Sequence, residues 1–214
     1  MTSADTRITK KEKTALSRKK QIFESGLHLF LKKGFKGTTM QEIAAEVGIT
    51  APGLYTFVES KQDIIEMIAE GSVVDFEVLN NFRRNLGDIS PTQALQECCK
   101  YWLTISKIEQ DKAVVLERET VNFDTDTQQL VFHGFRGFIR LFEELLIDGV
   151  KAREFQVDNV NLVAFNIVMM RFNYAMRRWY LREAFTPEEY ASVQTDIILK
   201  QVAVAKSGKI HNSS

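Results

Sequence analysis

Cysteine, histidine and proline are scarce in this 214-residue chain, and each scarcity closes off a class of protein. The two cysteines, Cys98 and Cys99, are neighbours and cannot easily close a loop between themselves. A disulfide scaffold is thereby excluded, and a reduced, cytosolic setting is expected. The three histidines, His28, His133 and His211, are scattered. No metal-spaced His/Cys cluster, glycine-rich phosphate loop or nucleophile elbow accompanies them, so no metal, cofactor or catalytic residue is expected. The pairs Glu117/Glu119 and Glu143/Glu144 read as solvated helix faces rather than catalytic carboxylates. Long apolar runs are missing too. The longest, 162–170, is broken by Asn166 and ends at Arg171, far too short to span a bilayer, and the polar N-terminus lacks the apolar segment of a signal peptide. No membrane partner is expected.

Net charge is also absent, with 28 basic against 28 acidic residues, and 44% of the chain is apolar. Disorder is therefore excluded, and a substantial core can be buried. The neutral total hides an asymmetry. Up to Lys61 there are 11 basic residues against six acidic, and beyond it 17 against 22. The positive excess sits in the first twenty residues, at Arg7, Lys10, Lys11, Lys13, Arg18, Lys19 and Lys20. A basic arm beside an acidic body suggests a polyanionic partner at one end.

The three prolines each follow a hydroxyl residue at a helix start: Thr50-Ala51-Pro52, Ser90-Pro91 and Thr186-Pro187. A proline in the first helical turn loses no hydrogen bond, because its N–H would have no partner there. Thr39-Met40-Gln41-Glu42 and Thr186-Pro187-Glu188-Glu189 have the form of capping boxes, and Ser60-Lys61-Gln62-Asp63 is a weaker one. No segment alternates convincingly, so the chain reads as all-α. About nine helices are expected, at 17–33, 39–47, 50–58, 60–80, after Ser90, 111–121, 127–153, 159–184 and 187–205. The domain reading is a flexible basic arm at 1–15, a DNA-binding domain at 16–76, a helical body at 77–205 and a disordered tail at 206–214.

The most informative stretch is 39–58, TMQEIAAEVGITAPGLYTFV. Met40, Ile43, Ala44 and Val47 form an apolar stripe, with Ala44 small enough for a close helix crossing. Gly48 can take the left-handed conformation that turns the chain, and Leu54 and Phe57 face the core of the next helix. This is the pattern of a helix-turn-helix. The outward positions Thr50, Ala51, Gly53, Tyr55 and Thr56 carry no charge. Such a face suits close approach to DNA, offering methyls to thymine and hydroxyls to phosphates or base edges.

On these residues, from Arg18 to about Glu70, the chain resembles the DNA-binding domain of the TetR family of bacterial transcriptional regulators. The matching strings are LFLKKGF, GTTMQEIAAEVGIT and APGLYTFVESKQDII. The resemblance implies a three-helix DNA-binding domain, a helical ligand-binding and dimerisation domain, and a bacterial, cytoplasmic, nucleoid-associated protein. It implies that Tyr55 and Lys61 hold phosphates, that Thr38 and Thr39 bind the DNA backbone, and that Thr50 and Thr56 face the groove. Lys20, Ala51, Pro52 and Gly53 complete the expected DNA-binding set. The partner is double-stranded DNA bearing a palindromic operator, engaged by a homodimer. Two positions depart from the family. Val58 stands where an aromatic is frequent, and no basic side chain stands near Ala51 or Thr56, so base readout is expected to lean on shape.

In the body, seven of the 15 phenylalanines fall between Phe132 and Phe172, and Phe132, Phe135, Phe138 and Phe142 recur at helical spacing. Ordinary core packing explains such a stripe. The helix at 159–184 is apolar nearly all round, and with the last helix it suits a four-helix dimer interface built from Phe165, Phe172, Val193, Ile197, Ile198 and Val202. Asn166, Asn173 and Arg177 make a polar line on that helix, read either as helix–helix hydrogen bonding or as a handle in a ligand pocket. Tyr101, Trp102, Arg118, Phe135 and Met170 are the other candidate ligand contacts. VVLERETVN, LLIDGVKAREF and RRWYLREAFTPEEYASVQTDIIL resemble TetR-like regulators of acyl-CoA catabolism, which implies a hydrophobic effector such as an acyl thioester. A DNA-binding regulator of the same fold without a small effector remains the alternative. A cavity lined by Trp102, Phe135 and Met170 would favour the sensor; a solid core would favour the scaffold.

Overall fold

A computed structural model describes the backbone of residues 10–204, and the side chains of all of these except 10–14 and 72–74. The tail expected at 206–214, Arg7, and the side chains of Lys10, Lys11 and Lys13 lie outside the described residues. The architecture is all-α. The helices are α1 (Lys10–Lys33), α2 (Met40–Val47), α3 (Ala51–Leu54), α4 (Lys61–Arg84), α5 (Pro91–Leu103), α6 (Lys107–Glu119), α7 (Thr125–Lys151), α8 (Val160–Met176), α9 (Arg178–Ala184) and α10 (Pro187–Val202). A 3-10 turn at Thr120–Asn122 precedes α7.

Local chemistry explains most of the boundaries. Thr39 and Thr186 close reciprocal capping boxes with Glu42 and Glu189, as their spacing predicts, and Ser90 closes a third with Gln93. At the α4 start, the Asp63 carboxylate accepts from the Glu59 amide at 2.6 Å and the Ser60 hydroxyl at 2.9 Å.

Four boundaries differ from expectation. Helix α1 reaches back to Lys10, because no glycine or proline separates the arm from Ser17 and lysine is a good helix former. Helix α6 begins at Lys107, where the Ser106 amide donates to Glu109 at 2.8 Å, a capping pair that the sequence offered unread. The 50–58 helix closes after Leu54 and continues as tight turns. The Thr56 hydroxyl donates to the Gly53 carbonyl at 2.8 Å and competes with the helical ladder. The expected 159–184 helix is two helices, broken at Arg177, which gives ten α-helices among the described residues rather than nine.

The chain forms two compact units. The first comprises the described residues up to Gly71 together with 111–131, so the segment 111–131 groups with the N-terminal helices. Its core joins Ile22, Leu27 and Phe30 of α1, Ile43 and Ala44 of α2, Leu54, and Ile64, Ile65 and Ile68 of α4. Val115, Leu116 and Phe123 complete it, which is why that later segment groups here. Val58 is buried in the same core despite being smaller than the aromatic that the family often carries. A Cβ on Gly26 would stand 2.6 Å from Ile64 Cγ2, so this glycine permits the close crossing of α1 and α4.

The second unit comprises residues 72–110 and the described residues from Phe132 onward, and α10 packs along α5 with α8 beside both. Leu95, Cys98, Cys99, Trp102 and Leu103 of α5 face Tyr190, Ala191, Ile198 and Val202 of α10 across this core. Burial pushes the Cys98 thiol up to about 11 and the Cys99 thiol well above its ordinary value, so both stay protonated at neutral pH. The Tyr174 and Tyr190 rings meet at a tilt, 4.8 Å between centroids, and their hydroxyls donate to the Phe185 and Met170 carbonyls.

Candidate nucleic-acid interface

The helix-turn-helix is built from α2, Gly48 and α3. Gly48 adopts φ +75°, and the next amide, that of Ile49, donates to the Ala44 carbonyl at 2.9 Å, which ends α2 and redirects the chain. Ile43, Ala44 and Leu54 pin the two helices to the core, leaving the start of α3 outward. Thr50 is its N-cap, accepting from the Gly53 amide at 3.2 Å. Thr50, Pro52, Tyr55 and Thr56 are exposed, and Ala51 and Gly53 half-exposed, so six of the expected contacts share one uncharged tip. Tyr55 is 49% exposed.

Charge around the tip is locally balanced. The Lys33 ammonium pairs with Glu42, and this bond, with the Thr39 amide and hydroxyl, lowers the Glu42 carboxyl to about 2. Glu42 is therefore anionic at neutral pH beside the α2 N-terminus, with its charge matched by Lys33. His28 Nδ1 lies 2.5 Å from Glu46, tying α1 to α2.

The remaining expected contacts are placed differently. Thr39 is exposed at the α2 cap. Thr38 is buried and its hydroxyl donates to the Gly34 carbonyl at 2.9 Å, so it braces the turn before α2 instead of facing outward. Lys61 donates to the Phe35 carbonyl at 2.6 Å and lies 4.7 Å over the Phe35 ring, leaving two ammonium hydrogens unused. Lys20 is exposed, 3.8 Å from Glu24.

Most of the expected ligand residues lie in the second unit, where they meet different neighbours. Trp102 is buried and packs on Phe138 at 4.2 Å, Phe135 lies against Phe165 and Phe172, and Met170 is half-buried. Tyr101 instead stacks on Phe82 at 4.5 Å, and both line an open cleft of about 460 Å3 with Glu97, Lys100, Thr104 and Glu109. Asn166 and Asn173 of α8 and Arg177 at its C-terminal cap are exposed in the single chain, on the side that faces away from its own core. Arg118 is exposed in the first unit.

The interface residues divide as well. Phe165, Val193 (43% exposed) and Ile197 (47%) project outward, whereas Phe172 is half-buried on Phe135. Ile198 and Val202 are 1% exposed inside their own unit, so they are core rather than interface.

One residue that the sequence reading passed over is Arg171. It is buried on α8, donating to the Trp102 carbonyl at 2.6 Å and to Glu109 at 2.7 Å, with its guanidinium 4.4 Å from the Trp102 ring. The signal was present: Arg171 is the sole charged residue between Val160 and Met176, and a lone cation in an apolar helix requires a partner. Among the described residues no group of His, Cys, Asp and Glu could hold a metal, and no helix is long and apolar enough to cross a membrane.

Comparison with known proteins agrees with the geometry. Residues 22–68 match the family model of bacterial regulatory proteins of the tetR family, and residues 88–202 match that of the tetracyclin repressor-like C-terminal domain. The HTH-type transcriptional regulator HbdR of Aromatoleum sp. (strain CIB) is 22% identical over 189 residues, covering 88% of this chain and 82% of HbdR. Among solved structures, a tetR-family regulatory protein from Rhodococcus RHA1 superposes with a TM-score of 0.78 at 18% identity, covering 88% of this chain and 98% of that one. AibR, solved in complex with isovaleryl coenzyme A and operator DNA, superposes with a TM-score of 0.71 at 20% identity, covering 84% and 97%. An exposed, uncharged helix tip set by a left-handed glycine, and two family models that cover most of the chain, lead to one conclusion: the protein belongs to the TetR family of bacterial transcriptional regulators.

Proposed function

We propose that this chain is a ligand-responsive repressor that binds a palindromic operator as a two-fold dimer and is released by a hydrophobic small molecule. The observation that carries the DNA-binding half is the α3 tip, where Thr50, Pro52, Tyr55 and Thr56 are exposed together without a charged side chain among them. Helix α3 enters the major groove, Tyr55 and Lys61 hold flanking phosphates, and the Thr39 cap approaches the backbone. One such head is small, so two heads on half-sites about 34–36 Å apart supply the affinity.

Dimerisation is supported by Leu162, Phe165, Val193 and Ile197, apolar side chains that the single chain leaves exposed on α8 and α10. Covering them with the same surface of a second copy removes an aggregation hazard. Asn166 and Asn173 lie on the same side of α8 and supply hydrogen bonds across the seam. AibR, of the same fold, was solved with an acyl thioester and operator DNA, which supports an effector of that class here. The packing of Trp102 on Phe138 favours the second reading, a regulator of the same fold without a small effector.

Two measurements separate these readings. Selection of bound duplexes from a random library, with the mass of the complex, tests operator binding. A chain that stays monomeric and enriches no sequence at low salt contradicts it. Thermal shift against acyl-CoAs, free fatty acids and aromatic acids tests the sensor, since a ligand at 100 times its Kd adds about 2.7 kcal/mol of stability. No shift with any of them favours the effector-free regulator.

A further inference from the structure

The two threonines that flank α3 are left with opposite hydrogen-bonding capacity. The Gly53 amide donates to Thr50 Oγ1, so the Thr50 hydroxyl hydrogen remains available. The Thr56 hydroxyl donates to the Gly53 carbonyl at 2.8 Å, and a carbonyl only accepts, so Thr56 is left with lone pairs alone. Between them the tip presents the Ala51 methyl, the Pro52 ring, Gly53 and Tyr55. From 48 to 58 there is no Lys, Arg, Asn or Gln.

Each base presents a different edge in the major groove. Guanine shows two adjacent acceptors, and its bidentate readout takes one side chain with two donors, which this tip lacks. Thymine shows a methyl group, which apolar atoms contact. Adenine and cytosine show an amine, which needs an acceptor such as Thr56. Resting on the operator-binding reading, we propose that α3 selects thymine through its apolar tip and an amine-bearing base through Thr56, while the single hydroxyl donors of Thr50 and Tyr55 go to phosphates and guanine is not read.

Modified operators test this without altering the fold. An operator is first selected from a random library with the full-length chain. Deoxyuridine then replaces each thymidine in turn, removing only the methyl group, and 7-deazaguanine replaces each guanine, removing only N7. Both changes touch the major-groove edge and leave the minor groove intact. Loss of a methyl in contact raises Kd about fourfold, the factor expected for one buried methyl-sized group. Replacement by 7-deazaguanine changes Kd less than twofold throughout. Purine in place of one adenine, which removes the N6 amine, weakens binding by wild type; in Thr56→Val, which keeps the side-chain shape without lone pairs, the same replacement adds no loss.

A tenfold loss with 7-deazaguanine and none with deoxyuridine overturns the inference and leaves operator binding standing. Indifference to both changes also overturns it and assigns readout to duplex shape. A selection that enriches no sequence overturns operator binding and this inference together.

Discussion

The substitution Arg171→Met is the sharpest test of the second unit. It leaves the Trp102 carbonyl without its donor and Glu109 without its guanidinium, while keeping most of the apolar volume. Breaking a buried pair by removing one partner costs about 3–5 kcal/mol. Glu109 keeps part of its surface in water, which places the loss near the lower limit, about 3 kcal/mol. In a chain of this size each kcal/mol moves Tm by about 2–4 °C, so a fall of about 6–12 °C is expected. The pH dependence makes the test specific. Burial pushes the Glu109 carboxyl up, but Arg171 and the Ser106 hydrogen bonds outweigh it and hold the carboxyl below 4.5. Wild type therefore has this contribution above about pH 4.5 and loses it as the pH falls through the folded value. Without Arg171 burial acts with less opposition, the carboxyl rises, and the gap between variant and wild type narrows toward acid. Melts between pH 4 and 8, followed by fluorescence of buried Trp102, measure both quantities. Adding Glu109→Gln, which removes the charge but keeps an oxygen for the Ser106 amide, recovers at least half of the loss. A Tm change under 2 °C, or a gap independent of pH, refutes the reasoning.

Further outcomes follow from other positions. Tyr55→Ala weakens operator binding by about 1–3 kcal/mol with an unchanged Tm, measured by fluorescence anisotropy and thermal melting. Lys61→Ala weakens binding on all sequences and lowers the salt slope by about 1. It also removes the Phe35 tie and lowers Tm slightly. Gly48→Ala has open space around the new methyl but forces a left-handed backbone, costing about 1–2 kcal/mol in denaturant unfolding. Ile197→Glu with Phe165→Glu yields a folded monomer by sedimentation, because both side chains are exposed in the single chain.

Legibility in the sequence followed how local the cause was. The Thr39 and Thr186 caps, the Gly48 turn and the burial of Ile43, Ala44 and Leu54 depend on residues a few positions apart, and all were readable. The Ser106–Glu109 pair was equally local and was missed, with no proline to mark it. Helix α10 was misjudged by angle. Val193 and Val202 are nine residues apart, about 180° around a helix, so Val193 with Ile197 and Ile198 with Val202 occupy opposite sides. Helix α8 carries apolar residues on every side, and periodicity cannot say which side meets its own core. The stacking of Tyr101 on Phe82 and the burial of Arg171 under Trp102 depend on tertiary contacts that no spacing encodes.

Pro52→Glu tests most directly whether the α3 tip meets DNA. Position 52 is exposed in the first turn of α3, where a carboxylate favours the helix N-terminus and the fold is retained. The same carboxylate would face phosphates at close range if the tip lies in the groove. Docking of the tip predicts an unchanged Tm, an unchanged dimer and loss of operator binding; wild-type affinity in Pro52→Glu would contradict it.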